Sequence, residues 1–156
     1  MLDEGQFDEK CRVGSVSGCS MLVRAYTVRE IGLMDESYFL YWEDTGWCAR
    51  AQEKGYAVIF VPASHVWHKI SASTVRRSFE QYYYFTRNGF AFLRRHDPLR
   101  IPVFAIYNLI FGLMSLFLRN PQPLRGFLRG FVDFTHGETG AMVPAARYNT
   151  SRKNTG

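Results

Sequence analysis

Hydrophobic and polar positions fall along this chain in blocks of differing period. Residues 15 to 24, SVSGCSMLVR, pass from small residues into a short apolar run with a β-branched member, the pattern of a buried strand. AYTVREIG then predicts a short helix stopped at Gly32, because glycine takes the left-handed turn of a C-terminal cap at least cost. After LMDES and an aromatic run, a second helix is expected from about Asp44 to Lys54, closed by Gly55. Lys54 sits in its last turn, where a cation suits the helix dipole. YAVIFVP, residues 56 to 62, is the clearest strand, bounded by Gly55 and Pro62, and ASHVWHKISAS predicts a short strand and loop. From Ser73 to His96 the positions of Phe79, Tyr82, Tyr83 and Phe90 predict a long helix, capped by Ser73 or Thr74 and ended by Asp97 and Pro98.

Downstream the pattern changes. Residues 101 to 118, IPVFAIYNLIFGLMSLFL, hold no charge, and PQPLRGFLRGFVDFTHG places Leu124, Phe127, Leu128, Phe131 and Phe134 at helical spacings. The tail AARYNTSRKNTG is polar and basic, and disorder is expected there. The expected organisation is a poorly ordered leader over 1–13, an α/β module over 14–98, apolar and amphipathic helices over 99–140, and a polar tail over 141–156.

A length of 156 residues suits one ordinary domain, and 47% hydrophobic with 16% aromatic residues excludes a disordered chain. The net charge of +5 conceals a division. Residues 1–68 carry 6 Lys/Arg against 10 Asp/Glu, a balance of −4, whereas residues 69–156 carry 13 against 4, a balance of +9. Arg94, Arg95 and Arg100 precede the uncharged block, and Arg119, Arg125 and Arg129 follow it. Cations bracketing an apolar segment suit an anionic membrane surface better than a nucleic-acid duplex, so no nucleic-acid partner is expected. The block is short for a transmembrane helix and is weakened by Pro102, Asn108, Gly112 and Ser115. A helix lying in the membrane interface is therefore expected, with a true span second and a buried helix of a soluble domain as the bland alternative. Three cysteines, Cys11, Cys19 and Cys48, are odd in number and lack zinc-type pairing, which points to a reducing compartment. The acidic N-terminus has no apolar stretch of the secretory type.

Candidate chemistry centres on YFLYWEDTGW, residues 38 to 47. Acids such as Glu43 and Asp44 at a helix start are stabilised by the unpaired amides and the dipole by about 0.3–1 kcal/mol each, which accounts for them without any function. Their surroundings add a second reading. Phe39, Tyr41, Trp42 and Trp47 supply flat rings of the kind sugars stack on, and an apolar wall disfavours a charged carboxylate, which brings it toward general-base range. His65 and His68 form a His-x-x-His pair whose imidazoles point to opposite faces of a strand, so one of them at most would serve a metal. No phosphate-binding glycine loop occurs, and SGCSM lacks the glycine a nucleophilic serine turn needs.

In order, SGCSMLVRAYTVREIGLMDESYFLYWEDTGWCARAQEKGYAVIFVPASHVWHKISAS resembles the C-terminal, acceptor-side half of family-2 inverting glycosyltransferases, rhamnosyltransferase-like members in particular. YYYFTRNGFAFLRRH and FLRGFVDFTHGETG are similar to that family's helical tail. The resemblance implies an α/β, partial GT-A fold followed by a helical, membrane-associated tail. It implies Asp44 as catalytic base, Glu43 orienting the acceptor or the base, and Tyr41, Trp42 and Trp47 lining the acceptor pocket. His68 matches a histidine that helps hold a divalent metal, manganese or magnesium, on the donor diphosphate. Expected partners are a nucleotide-diphosphate sugar, a glycan or lipid-linked acceptor, a membrane surface, and either a donor-domain chain or a second copy of this one. The expected location is the cytoplasmic, inner face of a bacterial cell membrane, peripheral or embedded. Gly46 stands where the family usually carries a further acid, and the family's donor half has no counterpart upstream of residue 14. The implied reading is a glycosyltransferase fragment inactive by itself; the alternative is a non-catalytic, membrane-associated interaction module that retains the half-fold.

Overall fold

The fold, a computed structural model, describes residues 4–68 and 78–142. Strand β1 (Cys11–Arg12) pairs antiparallel with β2 (Ile59–Phe60), Cys11 opposite Phe60 and Arg12 opposite Ile59. Between them lie a 3-10 turn at Gly18–Ser20 and helices α1 (Ala25–Ile31) and α2 (Glu43–Glu53). Helices α3 (Phe79–His96), α4 (Ile101–Phe117) and α5 (Gln122–Thr135) follow, with a 3-10 turn at Pro98–Arg100 leading into α4.

The described residues are thus mostly helical with one two-stranded ribbon, which corrects the α/β expectation. Residues 15–24 do not form a strand: the run curls through the 3-10 turn, and Leu22 is fully exposed at 100%. A strand needs a neighbour to take its amides and carbonyls, and this run has none among the described residues. The strand expected over 56–62 shrinks for the same reason to two ladder residues, extended by the Val13 amide donating to Val58 at 3.0 Å. Its partner β1 lies inside the stretch expected to be a leader.

Helix ends follow local chemistry. Gly32 and Gly55 adopt φ of 87° and 84°, the left-handed values that stop α1 and α2. The cap of α3 is Ser78, whose hydroxyl accepts from the Gln81 amide at 3.2 Å, in place of Ser73 or Thr74, which lie outside the described residues. Of the expected basic tail, residues 143–156 also lie outside them.

The core is a three-helix assembly. Gly126 faces Phe79 and Tyr82, Gly130 faces Tyr83 and Thr86, and Phe134 stacks on Phe90 at 5.3 Å, so α3 and α5 run parallel. The chain returns through α4, whose Phe104 meets Phe90 and whose Gly112 lies against Leu124. A Cβ on Gly126 would stand 2.5 Å from Tyr82 Cβ, and one on Gly130 2.7 Å from the Tyr83 carbonyl oxygen. The face of α5 that packs is therefore Pro123, Gly126, Phe127, Gly130 and Asp133, in which the two glycines let the backbones approach closely. The aromatic stripe read from the sequence is only partly buried: Phe127 is inside, whereas Leu128 and Phe131 are exposed.

Helix α4 is inverted relative to a soluble helix. Its buried residues are Asn108, Gly112 and Ser115, and only 11% of the apolar window in Pro98–Phe117 is buried. Asn108 and Ser115 satisfy themselves on the helix, donating to the Phe104 carbonyl at 2.8 Å and the Gly112 carbonyl at 2.6 Å. Val103, Tyr107, Ile110, Met114 and Phe117 point outward. A buried core helix would show the opposite arrangement.

Candidate active site

The acidic pair sits at the first turn of α2, delivered by an unusual turn. Phe39, Tyr41 and Trp42 adopt φ of 60°, 63° and 75°. Left-handed backbone at non-glycine residues costs about 1–3 kcal/mol each and persists only where the surroundings impose it.

The imposing group is on α3. The side-chain amide of Asn88 donates to the carbonyl oxygens of Tyr38 (2.5 Å), Leu40 (2.7 Å) and Tyr41 (3.2 Å). Arg87, also buried, donates to Asn88 Oδ1 at 3.0 Å, to the Gly140 carbonyl at 2.7 Å and to the Tyr83 hydroxyl at 3.3 Å. Its guanidinium also lies over the Tyr83 and Tyr84 rings at 5.4 and 5.2 Å. Tyr83 in turn donates to Asp133 at 2.8 Å, so a phenol bridges the buried cation and the buried carboxylate. Burial and that hydrogen bond push the Tyr83 hydroxyl up to about 12. The segment after α5 closes the arrangement: the Gly140 amide donates to the Ser37 carbonyl and the Met142 amide to the Tyr84 hydroxyl, each at 2.7 Å.

Within this frame the two acids differ. Asp44 Oδ2 accepts from the Gly18 amide at 3.0 Å and Oδ1 from the Thr45 amide at 2.7 Å, which ties α2 to the 3-10 turn. Glu43 Oε2 is buried and has no hydrogen-bond partner among the described residues. Glu43 lines an open hollow of about 380 Å³ with Met34, Asp35, Glu36 and Phe39. The Ser37 hydrogen bonds hold the Asp35 carboxyl below its ordinary value despite partial burial.

The rings divide as well. Trp47 is 7% exposed and donates its indole N–H to the Gly32 carbonyl at 2.8 Å, serving as a strut between α2 and the end of α1. Trp42 donates to the Phe85 carbonyl at 3.0 Å and packs among Phe85, Phe92 and Phe104. Gly89 makes that packing possible, since a Cβ there would stand 2.5 Å from Phe104 and 3.2 Å from Trp42. Tyr41 is half-buried and meets Phe85 edge-on at 6.5 Å. Gly46 lies under Tyr38, where a Cβ would meet the ring at 3.2 Å, so a side chain at this position would crowd it. His65 and His68 are exposed. No group of at least three His, Cys, Asp or Glu able to hold a metal occurs among the described residues, so these residues do not assemble a ligand set around His68.

Arg87, Asn88, Tyr83 and Asp133 were not singled out as site residues from the sequence. The available signal was Arg87 and Asn88 interrupting the aromatic run YYYFTRNGF at positions that face the core.

A family model described as glycosyl transferase family group 2 matches residues 6–142, which include both acids and the α3–α5 assembly. The chain belongs to this family. This chain is 31% identical over 120 residues to the dTDP-rhamnosyl transferase RfbF of Shigella flexneri, a match covering 71% of this chain and 39% of that protein. It is 38% identical over 64 residues to the N-acetylglucosaminyl-diphospho-decaprenol L-rhamnosyltransferase of Mycobacterium tuberculosis, covering 41% of this chain and 21% of that protein. The matches thus span two fifths or less of these curated glycosyltransferases. No solved structure matches the chain.

Proposed function

We propose that this chain supplies the acceptor side of an inverting sugar transfer, with Asp44 as the base. The observation that carries the reading is the forced presentation of Glu43 and Asp44: a strained turn, clamped from α3, opens α2 with adjacent carboxylates, the first of which, Glu43, lines an open hollow. Asp44 takes the proton of an acceptor hydroxyl, whose oxygen forms a bond to the anomeric carbon. The bond from that carbon to the nucleotide diphosphate breaks on the opposite face, which inverts the centre. Glu43, with an unpartnered buried oxygen, accepts a hydrogen bond from an acceptor hydroxyl and orients it. Tyr41 offers a ring edge to the sugar, while Trp42 and Trp47 shape the site from within the packing. The relatives' names support nucleotide-diphosphate rhamnose as donor and a lipid-diphosphate-linked sugar as acceptor. A divalent metal on the donor would draw on His68 for one ligand at most.

The inverted α4 supports placement at a membrane carrying such an acceptor. Its outward apolar face, with exposed Arg94, Arg95, Arg100, Arg119 and Arg125 at its ends, fits the boundary between acyl chains and anionic headgroups.

Transfer from nucleotide-diphosphate rhamnose to a polyprenyl-diphosphate-linked N-acetylglucosamine tests the reading, using the full chain alone and with a family-2 donor-binding domain supplied separately. Asp44→Asn is expected to lower turnover by roughly 10²–10⁴-fold; unchanged turnover would remove Asp44 from the mechanism. A non-catalytic, membrane-associated module is the second reading, favoured by the backbone bonds already made by both Asp44 oxygens. Absence of nucleotide-sugar binding with manganese, together with absence of transfer in both arrangements, would select it.

A further inference from the structure

Among the described residues, every bond the Asn88 amide N–H groups make goes to the turn in front of the acidic pair, none to the helices it sits among. We propose that Asn88 is the positioning residue of Glu43 and Asp44, its side chain fixing the left-handed backbone of residues 38–42 and so setting where α2 begins. The catalytic consequence rests on the glycosyltransferase reading; the structural one does not.

The orientation of the amide is decided by its neighbour. A guanidinium only donates, so the Arg87 Nε contact at 3.0 Å requires the oxygen of Asn88 on that side and turns the nitrogen toward the carbonyls. Two N–H bonds then serve the carbonyls of Tyr38 and Leu40, and the longer contact to Tyr41 shares one of them. Arg87 is itself fixed by Tyr83 and Gly140, so the clamp inherits the rigidity of the α3–α5 core. The turn needs such a clamp because aromatic residues do not choose φ near 60° unaided. The Tyr38 carbonyl also accepts from Arg87 at 3.4 Å, but those of Leu40 and Tyr41 depend on Asn88; once they are released, Phe39, Tyr41 and Trp42 relax toward negative φ and the first turn of α2 swings. Asn88 lies on α3 apart from the glycine seam, which is met by Phe79, Tyr82, Tyr83 and Thr86 together with the Arg87 backbone. The turn can therefore open while the core stays packed.

Asn88→Asp tests this in the full chain, because it keeps the volume and removes both donors. Hydrogen–deuterium exchange is expected to rise at least 10-fold in residues 38–46 with residues 122–135 unchanged, and the Trp42 indole resonance is expected to move. In the transfer assay turnover falls at least 10-fold while KM for the nucleotide sugar stays within about twofold. Unchanged exchange in 38–46, or an equal rise in both segments, overturns the proposal. If Asn88→Asp does not fold, Asn88→Ser, which keeps one short donor, is measured by the same criteria. Absence of transfer by the unsubstituted chain, alone and with the donor-binding domain, would remove the transferase reading and leave the exchange result to decide the role of Asn88.

Discussion

Tyr83 on α3 donates its hydroxyl to the Asp133 carboxylate on α5 at 2.8 Å, although the two are 50 residues apart in sequence. The same oxygen accepts from Arg87, and Arg129 Nε meets both carboxylate oxygens of Asp133 at 3.0 Å. Both charges are buried, and removing the phenol leaves them without their bridge. Tyr83→Phe is expected to lower stability by about 1–3 kcal/mol, measured by chemical denaturation in detergent, against a surface control such as Tyr107→Phe with a change near zero.

The raised Tyr83 hydroxyl sets a sign for alkaline stability. In the pH range between the ordinary tyrosine value and about 12 the folded chain holds a proton that the unfolded chain has lost. Its contribution is therefore complete below pH about 10 and is lost as pH rises toward 12. Denaturation midpoints should fall over that window, and Tyr83→Phe should flatten the fall. An equal slope in the variant would assign the loss to other groups.

The α3–α5 seam predicts an asymmetric response to alanine. In an isolated helix Gly→Ala stabilises by up to ~1 kcal/mol. At Gly130 the added Cβ would lie 2.7 Å from a backbone carbonyl oxygen, which cannot rotate away as a side chain tip can. Gly130→Ala and Gly126→Ala are each expected to destabilise by about 1–3 kcal/mol despite better propensity. A stabilised variant in the denaturation assay would show that the helices do not approach this closely.

Membrane contact by α4 predicts two separable effects on binding to vesicles. Ile106→Asp with Ile110→Asp places charge on the outward apolar face and is expected to abolish sedimentation with vesicles at any salt. Arg119→Ala and Arg125→Ala are each expected to weaken binding to anionic vesicles about fivefold, near 1 kcal/mol per cation, with the effect vanishing on neutral lipid. Retention of binding in the double aspartate variant would mean that another surface makes the contact.

What could be read along the chain was local. Gly32 and Gly55 end their helices because only nearby backbone geometry is involved, and the acids of α2 mark its first turn for the same reason. The uncharged block was legible as a helix, and the order of residues around YFLYWEDTGW carried the family resemblance. One expected strand failed for want of a distant partner. A run such as 15–24 has strand chemistry but forms a strand only if a neighbour pairs with it. A stripe of phenylalanines marks a helix face, yet α5 buries its glycines against α3 because close backbone approach outweighs side-chain bulk. The sequence by itself determined the helices, their stops and the acidic pair at the head of α2, all set by interactions within a few residues. Only the tertiary structure decided that Asn88, 48 residues beyond Leu40, would hold the turn presenting that pair, because its three carbonyl contacts exist only once α3 lies against the turn.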